Sequence, residues 1–379
     1  MVDAYITNLA SFLPGHPVAN EDIELYLGPV DRVSSRTRTK ILAGNGIQTR
    51  HYAIDRENGE PTHTNAQLTA EAIRRLNTSG NGWSCLVCGT SSPDQLMPGH
   101  ASMVHGELGQ SPCEVVSTAG ICLSGVMALK YAAMAVATGS AAGAVATGSE
   151  LASSYMRTDF FAQAGCRRLG NNASEPSHPA FSFEEQFLRW MLSDGAGAVL
   201  IEPESRGPLS LRIDWIELTS QAHRLATCMY AGCSKQNGGE IVGWREALRQ
   251  GESGGVFTIK QDAKLLNREV LPALVGNCLP SIVSKHKLTA TEVDWFLPHY
   301  SSAYFREPLE RQLSDIGFAI PQERWFTNLS TKGNTGAASF YIMLEELVLS
   351  GRLRPGDRIL GFVPESGRFA VGYLLLTVV

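Results

Sequence analysis

The residue best placed for covalent chemistry is Cys122, in the stretch Val116-Ser117-Thr118-Ala119-Gly120-Ile121-Cys122-Leu123-Ser124-Gly125-Val126-Met127. Residues 113–116 form a short apolar run that reads as a strand. Leu123, Val126, Met127, Leu129, Tyr131 and Met134 then recur at helical spacing until Thr138-Gly139 ends the pattern. Cys122 is therefore expected at a strand-to-helix turn, beside backbone N–H groups that no helical carbonyl has claimed and at the positive end of the helix dipole. That setting favours the thiolate, the form in which cysteine acts as a nucleophile at neutral pH. A cysteine under a helix is more often just a small buried residue. What sets this one apart is a second copy of its pattern near the C-terminus.

Ser117 to Cys122, a helix and Ala137-Thr138-Gly139 stand beside Ser330 to Thr335, a helix and Leu349-Ser350-Gly351. Cys122 lies 17 positions before Gly139, and Asn334 lies 17 before Gly351. Each helix is followed by an apolar strand that ends in a small turn, Gly148-Ser149 in one copy and Ser366-Gly367 in the other. Two unrelated βαβ units could match this well by coincidence. Read as a duplication, the pattern predicts two similar halves about a pseudo-twofold axis, residues 1–205 and 206–379. Cys122 and Asn334 would then occupy equivalent helix starts facing one cleft.

The elements that must position these residues follow an α/β rhythm. Strands are expected at 5–12, 83–88, 113–116, 143–146, 294–298 and 359–363, with a closing hairpin over 369–378. Helices are expected at 20–44, 64–76 (with Thr64 or Asn65 as cap), 99–108, 262–282, 303–313 and 334–351. Alternation of this kind implies a mostly parallel sheet with helices on both faces. Residues 157–192 interrupt it with the loop-like Gly170 to Pro176 and an aromatic cluster of Phe181, Phe183, Phe187, Leu188, Trp190 and Met191 around Glu184 and Glu185. Such an insertion is either a packed flap or part of a substrate tunnel. Ser193-Asp194-Gly195-Ala196-Gly197 reads as a tight turn into a strand, whereas residues 206–255 show no clear period.

Composition narrows the class. A chain of 379 residues, 44% hydrophobic and 18% charged, can bury a large core, and a net charge of −5 without a dense Lys/Arg run gives no electrostatic case for nucleic acid. Residues 132–147 are the most apolar, but Gly139, Ser140 and Gly143 break them, so no membrane span is expected. The opening residues lack a basic region followed by an apolar run, which argues against a signal peptide. Eight scattered cysteines suggest reduced thiols and a cytoplasmic location. Cys85-Leu86-Val87-Cys88 lies in an apparent buried strand, where residues three apart face opposite ways. No second pair completes a metal site, and no metal or cofactor is expected.

The ordered set Cys122, Pro298-His299, Gly333-Asn334-Thr335 with Ala337-Ala338-Ser339, Asp194-Gly195-Ala196-Gly197 and the Gly367 turn resembles β-ketoacyl-acyl carrier protein synthase III and its relatives in the thiolase superfamily. The resemblance spans nearly the whole chain; each motif alone is weak, and the order is specific. It implies a duplicated five-layered αβαβα fold with two mixed sheets, a homodimer, and acyl thioesters of acyl carrier protein or coenzyme A as substrates. It also implies roles. Cys122 holds the acyl group, His299 and Asn334 donate hydrogen bonds to the carbonyl of a second thioester, and the N–H groups of Cys122 and Gly367 form an oxyanion hole. The resulting reaction is a Claisen-type carbon–carbon condensation; acyl transfer to a hydroxyl or amine is the alternative.

Departures bear on the substrate. Coenzyme A-primed members carry a Trp and an Arg before the Gly-Ile-x-x-Arg segment, where this chain has Lys40 and Gly44, which favours carrier-protein-borne chains. After His299 the sequence reads Tyr-Ser-Ser-Ala-Tyr in place of Gln-Ala-Asn. No second cysteine stands near the C-terminus as a biosynthetic thiolase would require; the last is Cys278. The 157–192 insertion and Pro364-Glu365-Ser366-Gly367-Arg368-Phe369 look similar to synthases of the dialkylresorcinol and cyclohexanedione pathways. There Glu365 could serve as an auxiliary base, or simply pair with Arg368 or another basic group. Chain length, and whether condensation is decarboxylating, are not legible in the sequence.

Overall fold

A computed structural model describes residues 2–29, 35–76, 82–163, 183–207, 209–236, 239–252 and 254–379. Nine strands form its main sheet: β1 (Tyr5–Phe12), β2 (Cys85–Thr90), β3 (Glu114–Ala119), β4 (Ala144–Glu150), β5 (Gly195–Glu202), β6 (Leu211–Ser220), β7 (Trp295–Pro298), β8 (Arg358–Glu365) and β9 (Ala370–Val378). Their spatial order is β7-β8-β9-β6-β1-β5-β4-β2-β3. In the N-terminal half β2 pairs in parallel with β3 and β4, and β4 and β1 pair antiparallel with β5. The C-terminal half repeats this order. Its first strand, β6, lies against its last, β9; then come β8 and the parallel β7, beside which a single parallel bridge from Phe296 to Trp325 takes the place of β3. The two mixed sheets expected of a duplicated fold run into one another where β1 and β6 pair at Tyr5–Arg212 and Ile6–Leu211.

Five layers follow from the alternation of side chains along these strands. Cys85 and Val87 of β2, with Leu297, Ile359, Val363, Leu374 and Leu376 of the other half, face a central layer. That layer is the pair of core helices α3 (Ser124–Ala137) and α8 (Ser339–Leu349). Leu86 and Cys88 face the opposite way, toward α1 (Asn65–Arg74) and α2 (His100–Leu108). Cys85 and Cys88 thus point to opposite faces, and no cluster able to hold a metal is found among the described residues. Phe296, Leu360, Phe362, Tyr373 and Leu375 pack on the other outer layer, α5 (Ala263–Leu271), α6 (Leu279–His286) and α7 (Arg306–Asp315). α4 (Phe183–Met191) is the described end of the insertion; Gly170–Pro176 and Phe181 fall outside the described residues.

Where the elements differ from expectation, local chemistry explains why. The helix expected over 262–282 breaks at Pro272, whose missing N–H interrupts the helical ladder: α5 ends there, Pro272–Gly276 is a π turn, and α6 resumes at Leu279. The 206–255 stretch contains the ten-residue β6, whose period is obscured by a register shift against β9 at Leu375/Leu376. The helix expected over 20–44 appears as Ile23–Leu27 and Ser35–Asn45. Thr64, one of the two caps expected for α1, forms a reciprocal capping box with Gln67. No helix among the described residues is long and apolar enough to cross a membrane.

The two core helices begin almost in contact with the opposing sheet. A Cβ at Gly125 or Gly148 would sit 2.3 or 2.1 Å from the Ala337 carbonyl oxygen, and one at Gly89 would sit 2.3 Å from the Ser124 oxygen. Both helix starts are held over one small region for this reason, and the site lies there.

Candidate active site

β3 runs to Ala119, further than the sequence pattern implied, so only Gly120 to Leu123 separate it from α3. The turn is held from both sides. Thr118 Oγ1 donates to the Ser124 carbonyl at 2.8 Å, and Ser124 Oγ donates to the Ile121 carbonyl at 2.7 Å. On the other side, Glu365 Oε2 accepts from the N–H of Ile121 at 2.8 Å and of Leu123 at 3.3 Å. The positive end of α3 is thus already matched by a carboxylate from the other half of the molecule. This overturns the expectation that the helix start favours a Cys122 thiolate. Burial raises the thiol well above its ordinary value, and the Glu150 and Glu365 carboxylates push it further the same way. Resting Cys122 is a thiol that must give up its proton as it reacts.

Asn334 is held just as firmly, by backbone rather than side chain. Its N–H donates to the Met191 carbonyl and its carbonyl accepts from Ser193 N–H, both at 2.9 Å, forming a parallel bridge across Leu192. Gly333 before it adopts φ +70°, with the Arg50 and Ser193 side chains 3.0 Å from where its Cβ would be. Asn334 Oδ1 accepts from Gly336 N–H at 3.0 Å, so the hydrogen-bonding pattern leaves the amide nitrogen as the donor that faces outward. The helix starts are not strictly equivalent, as the 17-residue spacing suggested: a 3-10 turn, Gly336–Ala338, intervenes between Asn334 and α8, whereas Cys122 stands two residues before α3.

His299 follows β7 and donates its N–H to the Phe362 carbonyl at 2.8 Å. Burial lowers its imidazole from the usual 6.5 to about 4, so the ring is neutral near pH 7 and offers one donor and one acceptor nitrogen.

Cys122 lies where two small cavities of about 40 Å³ each meet. One is walled by Asn334, Gly336, Glu150, Tyr155, Leu188, Met191 and Leu192; the other by His299, Val270, Leu271, Phe305, Leu309 and Phe362. Ser301 and Ser366 line both. The described end of the insertion is therefore cavity wall. Cys122 lines both cavities, with Asn334 in the wall of one and His299 in the wall of the other. Gly367 sits in the turn after β8, where a Cβ would meet Ile121 Cδ1 at 3.1 Å, and with Gly120, Ile121 and Glu365 it lines an adjoining opening. Arg368 does not pair with Glu365; its Nε donates to the Leu225 carbonyl. Gly44 lines a separate apolar cavity with Ile41, Phe187, Leu266, Tyr304 and Phe305.

Sequence reasoning missed Glu150. This buried residue, the last of β4, accepts from Ser91 Oγ and Ser92 Oγ on Oε1, both at 2.6 Å, and from Ala337 N–H on Oε2 at 3.2 Å. Burial raises its carboxyl, an effect those three donors partly offset. The signal was present in the repeat: Gly148-Ser149-Glu150 and Glu365-Ser366-Gly367 each place a glutamate at the end of the strand after a core helix.

Residues 283–374 match the model of the 3-oxoacyl-[acyl-carrier-protein] synthase III C-terminal domain, and residues 28–207 that of the β-ketoacyl synthase N-terminal domain. Among solved structures, AbyA1, a tetronic acid condensing enzyme, is 21% identical with TM-score 0.75, covering 99% of both chains. OleA from Xanthomonas campestris is 20% identical with TM-score 0.73, covering 99% of this chain and 98% of its own. The β-ketoacyl-[acyl carrier protein] synthase III (FabH) from Thermus thermophilus is 21% identical with TM-score 0.70, covering 98% of each. Two family models that between them take in most of the chain show that it belongs to the condensing enzymes related to β-ketoacyl-acyl carrier protein synthase III.

Proposed function

We propose that the enzyme joins two acyl thioesters through a carbon–carbon bond at Cys122. The reading is carried by one observation: the thiol lies at the junction of two apolar-walled cavities, with His299 in one and Asn334 in the other. In the first step Cys122 Sγ attacks a thioester carbonyl while its proton passes to the neutral imidazole of His299. The N–H groups of Cys122 and Gly367 receive the oxyanion, and the departing carrier thiolate takes the proton. In the second step the carbonyl of another thioester lies against the His299 ring N–H and the outward-facing amide of Asn334, so that enolate charge develops against fixed donors. Glu365, bonded on both sides of Cys122, acts as a positioning group for the nucleophile; its place in an adjoining opening also leaves it available as an auxiliary base for a later ring closure.

Products of the dialkylresorcinol or cyclohexanedione type suit two cavities that meet at one sulfur, and fatty-acid-like or polyketide biosynthesis is the wider setting. Lys40 and Gly44, where coenzyme A-primed members carry a Trp and an Arg, support delivery on an acyl carrier protein rather than as a coenzyme A thioester. Among the described residues no strand pairs with the outer edge of β3, which supports a homodimer built on that edge. A cytoplasmic enzyme fits described cysteines that are all free. The test is intact-mass detection of an acyl adduct after exposure to an acyl thioester, followed by product analysis after a second thioester is added. An adduct that disappears in Cys122→Ala and a product with a new carbon–carbon bond are expected. An ester or amide as the sole product would favour transfer to a hydroxyl or amine instead.

A further inference from the structure

We infer that the acyl chain carried by Cys122 runs out past Met229 and Ile259 into the opening beside Gly367, and that Met229 is the gate that sets how long a chain passes. This rests on the acyl-enzyme proposed above and says where its tail goes. Each of the two cavities at Cys122 measures about 40 Å³, room for about three water molecules. An acyl group of more than a few carbons outgrows them. The opening beside Gly367 measures about 380 Å³. Ser91, Ile121, Met229 and Ile259 line both that opening and the Asn334 cavity, so they are the partition between the small space at the nucleophile and the large one behind it. Ile121 starts this partition at the residue next to Cys122.

The partition has fixed members and a movable one. Ser91 is tied to Glu150, the Ile121 N–H is tied to Glu365, and both isoleucines are β-branched and stiff at χ1. Met229 is unbranched, with three rotatable bonds and a polarisable thioether that adapts to what it touches. It is half-buried on a two-residue strand, Met229–Tyr230, paired with Lys260–Gln261. Ser366 Oγ donates to its Sδ at 3.4 Å, a weak bond that an incoming chain can displace. Its backbone is better anchored: the Met229 N–H donates to the Ser366 and Gly367 carbonyls at 3.2 and 3.3 Å, and the Cys228 N–H to the Gly367 carbonyl at 2.8 Å. The thioether can therefore swing aside while the strand and the Gly367 turn stay in place. A second way out of the small cavities leads past Phe305, which also lines the apolar cavity at Gly44. That way is closed by a buried ring packed edge-on against Tyr304, with centroids 5.2 Å apart, which has far fewer ways to move. Each methylene that leaves water beside Ile121, Met229 and Ile259 adds to binding, so the gate favours an uncharged alkyl tail.

The experiment follows, by intact mass, the rates at which the full-length enzyme takes an acyl group from butanoyl and from dodecanoyl thioesters of N-acetylcysteamine, and reads the dodecanoyl-to-butanoyl ratio. Met229→Trp fills the gate and is expected to lower that ratio by about 10-fold or more. Met229→Ala removes the gate and is expected to raise it by about 3-fold or more. A loss of overall integrity would lower both rates and leave the ratio where it was. Ala231→Trp narrows the opening from an exposed position beyond the gate, and it decides in place of Met229→Trp should that variant fail to fold. A ratio within about 2-fold of wild type in the deciding tryptophan variant would overturn the inference. So would a larger rise in Phe305→Ala than in Met229→Ala, which would put the tail in the cavity at Gly44, and so would refusal of dodecanoyl by wild type and Met229→Ala alike. Absence of any adduct in wild type counts against the condensing function instead.

Discussion

The two halves of the molecule share strand order and pairing yet deliver opposite chemistry to their common cleft. In the N-terminal half the third strand is complete, six residues of β3 paired along β2, and a four-residue turn carries the chain directly into α3. Cys122 is thereby fixed by covalent geometry on both sides. In the C-terminal half the third strand has shrunk to the Phe296–Trp325 bridge, and the chain takes a longer path through Leu329–Lys332 and Gly336–Ala338 before α8. Asn334 sits on that path and owes its position to a bridge with Leu192, a residue of the first half. A nucleophile that forms and breaks a covalent bond stands on a rigid strand–turn–helix unit, whereas hydrogen-bond donors stand on a segment positioned by its neighbour. Each half also supplies the carboxylate that holds the other's helix start: Glu365 reaches Ile121 and Leu123, and Glu150 reaches Ala337.

If the halves divide the reaction in this way, variants should divide it too. Cys122→Ala removes the nucleophile and is expected to abolish both the adduct and the product, a loss of at least about 10³-fold in turnover; intact mass and product formation report the two steps separately. Asn334→Ala is expected to leave loading of Cys122 near normal and to lower condensation by about 10²- to 10³-fold, the usual cost of removing a fixed donor to developing charge. Equal losses in both steps would show that Asn334 serves the nucleophile as well, and the division between halves would be wrong.

The local parts of this arrangement were legible in the sequence and the cross-half parts were not. Cys122 stands out because an apolar run, a small-residue turn and a helical period are all readable within about thirty residues, and the repeat then points to Asn334. The nine-strand order, by contrast, depends on β6, whose period is blurred by its register shift against β9. The state of the Cys122 thiol was misjudged because helix position can be read locally, while burial and the approach of Glu150 and Glu365 come from residues 28 and 243 positions away in the chain. Glu150 itself escaped notice because Gly148-Ser149 looked like a strand terminator; only the fold shows that the next residue meets Ala337 and lines the cavity.

The contact between halves can be broken without touching chemistry. Gly148→Ala would place a methyl 2.1 Å from the Ala337 carbonyl oxygen, a clash with backbone that no rotamer relieves. The expected cost is about 1–3 kcal/mol in denaturant unfolding. Because Ala337 follows the Asn334 segment, the same variant should lower condensation more than loading. An effect confined to stability would mean that the helix starts can separate slightly without loss of alignment.

The last expected effect is on pH dependence, and it belongs to the C-terminal half. His299 is lowered from 6.5 to about 4 by burial, so the folded protein binds its proton only well below the pH at which the unfolded chain does. The associated stability is fully present above about pH 6.5. It is lost as pH falls toward 4, at about 1.4 kcal/mol for each pH unit from this group. Wild type and His299→Asn should therefore converge or cross in unfolding free energy as pH falls through that window, with the difference between them flat above it. Below pH 4 the proton binds both states and the slope from His299 disappears. The donor role requires the neutral ring or its conjugate acid equally, but proton acceptance from Cys122 requires the neutral form; loading should consequently persist at pH 5.5, where an ordinary histidine would already be mostly protonated. An acid limb for loading centred near 6.5 would show that the imidazole meets water in the working enzyme, and that the C-terminal half is more open than its buried histidine implies.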